Sequence, residues 1–201
     1  MNEVLPRYEF RVFDNDLGKA EERIRALAAC SDIRESNEVY VLRRGGVDRN
    51  VKVRDDRLDV KKLIDHHDDL QQWKPAGELH FPIRSELICS EVWPGLVIDV
   101  ANTSLSRDSF LAVVEAHDEL WIANVSKRRY RFDIEGCLTE IDDVDIEDKT
   151  VKSICIESED PHAVLRIRQK VGIDDRENVC YPLAISRLAR MQATTNGIPD
   201  A

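Results

Sequence analysis

The sequence predicts an α+β fold, a largely antiparallel closed β-barrel with helices packed outside it. Three observations carry that expectation. Many short segments alternate apolar and polar residues with a period of two, as strands do when they bury one face. The order is a strand, a helix, then many strands with helices between them. So many one-sided strands must each cover a face, and a barrel does this without leaving exposed edges.

The clearest alternation is Asn50 to Leu63, NVKVRDDRLDVKKL. Val51 and Val53 share one face, Lys52 and Arg54 the other. A turn at Asp55-Asp56-Arg57 predicts a hairpin, with Leu58 to Lys61 returning. Lys52, Arg54 and Lys61 then gather on one face, where they repel one another unless something anionic lies between them.

The other elements follow in order. Arg7 to Phe13 is a strand with Tyr8, Phe10 and Val12 opposite Arg7, Glu9 and Arg11. Asp16-Leu17 opens a helix to about Ala29, with Leu17, Ala20, Ile24 and Leu27 at helical spacing. Ile33 to Arg43 is extended. Asp65 to Gly77 is polar and contains Trp73-Lys74-Pro75, so a loop or short helix is expected. Pro82 is expected to begin a helix carrying Ile83, Leu87, Ile88 and Val92. Leu96 to Val100 reads as a strand, and Ser106 as the N-cap of a helix to about His117. Leu120 to Ile134, Leu138 to Val144 and Val151 to Glu157 read as strands, the first two split by Gly136. Asp160-Pro161 starts a helix closed by Gly172, and Tyr181-Pro182 leads into a last helix to about Met191. A single domain over 1–192 and a flexible tail over 193–201 are expected.

Composition narrows the partners. The 201 residues are 42% hydrophobic and carry a net charge of −10. That sign argues against general binding to duplex nucleic acid or anionic membranes, and leaves room for a small basic pocket in an acidic shell. No apolar run approaches the ~20 residues of a membrane span. The five cysteines are widely spread with no C-x-x-C pair, so a reduced, cytoplasmic protein is expected. His66-His67 reads as surface, Trp73 and Trp93 as packing, and the acidic run after Asp142 as a solvated hairpin turn.

The second charged strand lies in VSKRRYRFDI. Lys127, Arg129 and Arg131 share one parity, while Arg128, Tyr130 and Phe132 share the other. Acids recur at the same spacing in Glu140 and Asp142, and in Glu157 and Glu159. Period-two charges also describe the solvent face of a half-exposed sheet, and cross-strand ion pairs of small net energy.

These residues resemble the CYTH group of the triphosphate tunnel metalloenzymes, which includes adenylate cyclases, thiamine triphosphatases and inorganic triphosphatases. Arg7-Tyr8-Glu9-Phe10-Arg11 stands where the group has E-x-E-x-K. Arg34-x-Ser36-x-Glu38-x-Tyr40, Val51-Lys52-Val53-Arg54, Lys61, Lys127-Arg128-Arg129, Asp142, Glu157-Ser158-Glu159 and Asn178 to Leu183 follow in the group's order, from about Arg7 to Leu188. The departures are Arg7 for a metal-binding glutamate and Arg11 for lysine.

The resemblance implies a basic tunnel that binds a triphosphate with a divalent metal. Arg11, Lys52, Arg54, Lys61, Lys127 and Arg129 would contact phosphate, with Lys61 and Arg129 at the catalytic centre. Glu9, Asp142, Glu157 and Glu159 would hold Mg²⁺ or Mn²⁺, hard cations that take oxygen ligands. Hydrolysis or cyclisation is the expected activity. The alternative is a polyphosphate- or nucleotide-binding module without turnover, which Arg7 favours. The expected partners are a small-molecule triphosphate, nucleotide or polyphosphate, with a homodimer left open.

Overall fold

The computed structural model of the chain describes residues 5–98 and 103–195. Eight strands close an antiparallel barrel, as the alternation predicted. They are β1 (Arg7–Asp14), β2 (Asp32–Arg43), β3 (Arg49–Arg54), β4 (Arg57–His67), β5 (Leu70–His80), β8 (Leu120–Ile134), β9 (Cys137–Ile146) and β10 (Lys149–Ser158). Around the barrel the order is β1-β10-β9-β8-β2-β3-β4-β5 and back to β1. A two-stranded ribbon, β6 (Ile83–Arg84) with β7 (Ser104–Leu105), lies outside it. The helices are α1 (Gly18–Leu27), α2 (Ser85–Leu87), α3 (Arg107–Ala116), α4 (Pro161–Val171) and α5 (Tyr181–Thr195), and α2 runs on into a π-helical turn, Ile88–Val92.

The strand parity sorts the residues into two environments. Outward from β1, β8, β9 and β10, Phe10, Phe132, Ile141, Ile154 and Ile156 pack under α1 and α4, against Ile24, Val164 and Ile167. Outward from β2, β3, β4 and β8, Val41, Val51, Val53, Leu58 and Leu120 pack under the β5–β8 connection, against Ile88, Trp93 and Phe110. The inner faces change character along the bore. At one end they are charged. At the other, Tyr40, Leu42, Ala123, Val125, Val144 and Ile146 are buried against Tyr181 and Ile185 of α5. The last helix therefore plugs one end of the barrel.

The caps behave as the sequence indicated. Ser106 Oγ accepts from Ser109 N at the start of α3, and Asp160 accepts from His162 N ahead of Pro161 at the start of α4. Gly172 ends α4 at φ 71°, a left-handed conformation that disfavours side chains with a Cβ. Trp73 and Trp93 are buried and pack. Among the described residues no helix is long and apolar enough to cross a membrane.

Five expectations need correction. Asp65 to Gly77 is neither loop nor helix: β4 continues to His67, turns at Asp68-Asp69, and β5 returns through Trp73. Both strands extend here with polar side chains on each face, so no alternation marked them. Pro82 leads into β6 and only a short helical stretch. Leu96 to Ile98 carry no strand, and Asp99 and Val100 lie outside the described residues. The acidic run is strand as far as Ile146, with only Glu147 and Asp148 in the turn. The final helix also runs past Met191 to Thr195, into the segment expected as tail, and residues 196–201 lie outside the described residues.

Candidate functional site

The charged end of the bore encloses a cavity of about 720 Å³. Nine basic and five acidic residues line it, so the tunnel interior is basic although the chain is acidic. The register explains the convergence. Lys52 pairs across to Tyr40, Ser36 to Lys127, Arg129 to Asp142, and Glu9 to Glu157. Each strand thereby contributes same-parity side chains at neighbouring levels.

The structure places Arg11, Lys52, Arg54, Lys61, Lys127 and Arg129 together on this cavity, with Glu9 and Glu157. Asp142 is fully buried beneath them. Its Oδ2 accepts from Arg11 Nη1 at 3.0 Å and from Tyr181 OH at 3.2 Å, and its Oδ1 from Arg129 Nε at 3.2 Å. Those three donors occupy Asp142 as an anchor for the arginines and set it apart from Glu9 and Glu157. Glu159 is exposed, one residue past the end of β10, where the Asp160-Pro161 helix start breaks the alternation.

The cations are compensated more thoroughly than the alternation of charges implied. Glu38 is buried among three of them: Lys127 Nζ at 2.7 Å, Lys52 Nζ at 3.1 Å and Arg54 Nη1 at 3.8 Å. Asp59 takes Arg54 Nη2 at 2.9 Å. Glu140 takes Arg129 Nε at 3.2 Å, Arg131 Nε at 3.3 Å and Arg11 Nη2 at 3.6 Å. The anions that same-face cations require are therefore built into the barrel. Tyr181, stacked on Tyr40 with ring centroids 5.3 Å apart, lies under both Lys127 Nζ and the Arg11 guanidinium, at 4.4 and 4.8 Å from its centroid. Sequence reasoning missed Glu38 and Tyr181 as site residues, although both stand in the motif segments.

Burial and these pairs shift the titrations. Burial, reinforced by Lys52, brings the Lys127 ammonium down to about 7 against the pull of Glu38. Burial alone would raise Glu38, but Lys127 and Lys52 outweigh it and hold the carboxyl at about 2. Burial opposes the charge on Arg129, yet Glu140 and Asp142 raise its pKa above the ordinary value. Glu157 raises the Lys61 ammonium more than burial lowers it.

A metal would find Glu9 and Glu157. Among the described residues they form, with Cys155, the one group of three ligand-bearing side chains converging within 4.8 Å. The two carboxylates fit a hard cation, whereas Cys155 is a buried thiol whose pKa burial pushes well up.

No family model and no curated protein matches the chain in sequence. Solved structures do resemble it. The PH1012 protein of Pyrococcus horikoshii superposes with a TM-score of 0.51 at 14% identity, covering 86% of this chain and 94% of its own. A candidate adenylate cyclase of Bacillus halodurans superposes with a TM-score of 0.51 at 11% identity, covering 91% of this chain and 98% of its own. At these identities the likeness is one of fold. The closed antiparallel barrel is the fold that the resemblance to the CYTH group implied. The resemblance read from the sequence holds at that level.

Proposed function

We propose that the barrel binds the polyphosphate portion of a triphosphate-bearing anion, and that the metal-assisted breaking of a phosphoanhydride bond takes place there. The observation that carries this is the convergence of Arg11, Lys52, Arg54, Lys61, Lys127 and Arg129 on one cavity from four strands. A triphosphate carries up to about four negative charges, which that many cations would match.

The chain's own residues supply positioning. Arg129 and Arg131 engage their carboxylates through Nε, which leaves the paired Nη donors for bidentate contact with phosphate oxygens. Lys127, on the same strand as these arginines, and Lys52, on β3, contribute compact charges. Glu38, Glu140 and Asp142 fix these cations before a ligand arrives, so little reorganisation accompanies binding. Glu9 and Glu157 would hold a divalent ion, which supplies charge neutralisation and Lewis acidity at phosphate oxygens. Arg7 supports a second reading, an anion-binding module without turnover, because it puts a cation where the family has a metal-binding glutamate.

Melting curves with tripolyphosphate, ATP and thiamine triphosphate, in EDTA and with Mg²⁺ or Mn²⁺, test the binding. Release of phosphate or pyrophosphate separates the two readings. A clear rise in melting temperature is expected with at least one of these anions. No rise with any of them overturns the proposal.

A further inference from the structure

The Glu9–Glu157 pair is already surrounded by positive charge. Arg11 Nε donates to Glu9 Oε1 at 3.1 Å, and Lys61 lines the same cavity. Arg7 stands at the rim, half exposed, with Nη1 3.9 Å from Glu157 Oε2. Two carboxylates thus face three cations. The third group in reach, Cys155, donates its Sγ toward Glu157 Oε1 at 3.7 Å, and a thiol is a poor ligand for a hard ion. Among the described residues this group offers two carboxylates where such an ion takes about six ligands.

We infer that Arg7 makes divalent-metal binding conditional on the anion. It keeps the Glu9–Glu157 pair closed to a free ion, and yields when a polyphosphate draws the cations to itself and supplies the missing oxygen ligands. This rests on the reading of the barrel as a triphosphate-anion site. The geometry suits a contact that yields, because a long, half-exposed ion pair holds weakly. A glutamate at this position would add a ligand and remove a repelling charge, giving a metal site that fills unaided.

The test uses Mn²⁺ alone, followed by the electron paramagnetic resonance signal of the free ion, on the wild-type chain, Arg7→Gln and Arg7→Glu. The wild type should leave the signal unchanged at concentrations where Arg7→Glu depletes it, with Arg7→Gln between them. The Mn²⁺ affinity of Arg7→Glu should be higher by at least about tenfold, since the charge beside the ligands reverses. In EDTA, tripolyphosphate should bind the wild type and bind Arg7→Glu more weakly. Equal Mn²⁺ affinities across the three chains overturn this inference alone. Failure of the wild type to bind tripolyphosphate overturns the anion reading itself. Arg7→Gln, uncharged and at a half-exposed rim position, keeps the comparison valid should Arg7→Glu fail to fold.

Discussion

Glu38 Oε2 lies 2.7 Å from Lys127 Nζ, with both side chains almost wholly out of solvent. The other oxygen of Glu38 serves Lys52 and Arg54. One carboxylate thus stands among three cations of the bore, in the role a phosphate group would share. An incoming anion does not relieve bare repulsion. It competes with an internal partner, and the cations it meets are already in place.

Glu38→Gln should therefore destabilise the chain by roughly 3 kcal/mol, because removing one member strands buried charges. Tripolyphosphate should restore much of the loss, since a ligand at about 100 times its Kd adds about 2.7 kcal/mol. Urea unfolding with and without the anion measures both. The pH dependence has a matching sign. The folded pKa of Glu38, about 2, lies below its ordinary 4.5, so its contribution is full above 4.5 and lost as pH falls towards 2.

Lys127 gives a dependence of the same sign in a higher window. Its folded pKa of about 7 lies below the ordinary 10.5. Between those values the unfolded chain holds a proton that the folded chain has released, so stability from this group rises with pH across the window. A bound anion favours the ammonium, so binding takes up a proton and weakens above pH 7, by up to about tenfold per pH unit. Calorimetry in buffers of different ionisation enthalpy measures the uptake. Lys127→Arg stays charged and should flatten the profile, which also cancels titration of the ligand itself.

Asp142→Asn should cost roughly 3 kcal/mol of stability, because Arg11 and Arg129 both lean on its charge. Tyr181→Phe removes one donor from the same carboxylate and should cost about 1 kcal/mol. Thermal or urea unfolding of the two variants checks the order. An equal effect would mean that Asp142 does not anchor the arginines.

Adjacent arginines on β8 provide a parity control. Arg129 lines the cavity, while Arg128 points to the outer face near Glu35, at 3.7 Å. Arg129→Ala should weaken tripolyphosphate binding by at least about tenfold, the scale of a lost charge-assisted contact, and Arg128→Ala should change it little. Titration calorimetry of the pair reads the difference directly.

Much of this arrangement is legible in the sequence. Lys127, Arg129 and Arg131 sit on a long strand whose other parity carries Tyr130 and Phe132, so alternation alone assigned their face. The hairpin carrying Lys52 and Lys61 was legible for the same reason, with Asp55 taking the turn at φ 55°. Glu38 was not, because its meaning comes from Lys52 on β3 and Lys127 on β8, 14 and 89 residues away, and from no local pattern. Glu159 misled in the other direction. Its spacing from Glu157 continues the alternation, but Asp160 and Pro161 start α4 and end the strand before it. Asp65 to Gly77 escaped recognition because both faces of that stretch carry polar side chains.

With α5 wedged against Tyr40, Val125 and Val144, the bore is a cul-de-sac. A guest would enter and depart through the same doorway, head first and tail last. Any part of it too long for the chamber would stay outside in the solvent, so its innermost groups would meet Lys127 and Arg11 while its remaining length would be left to the rim.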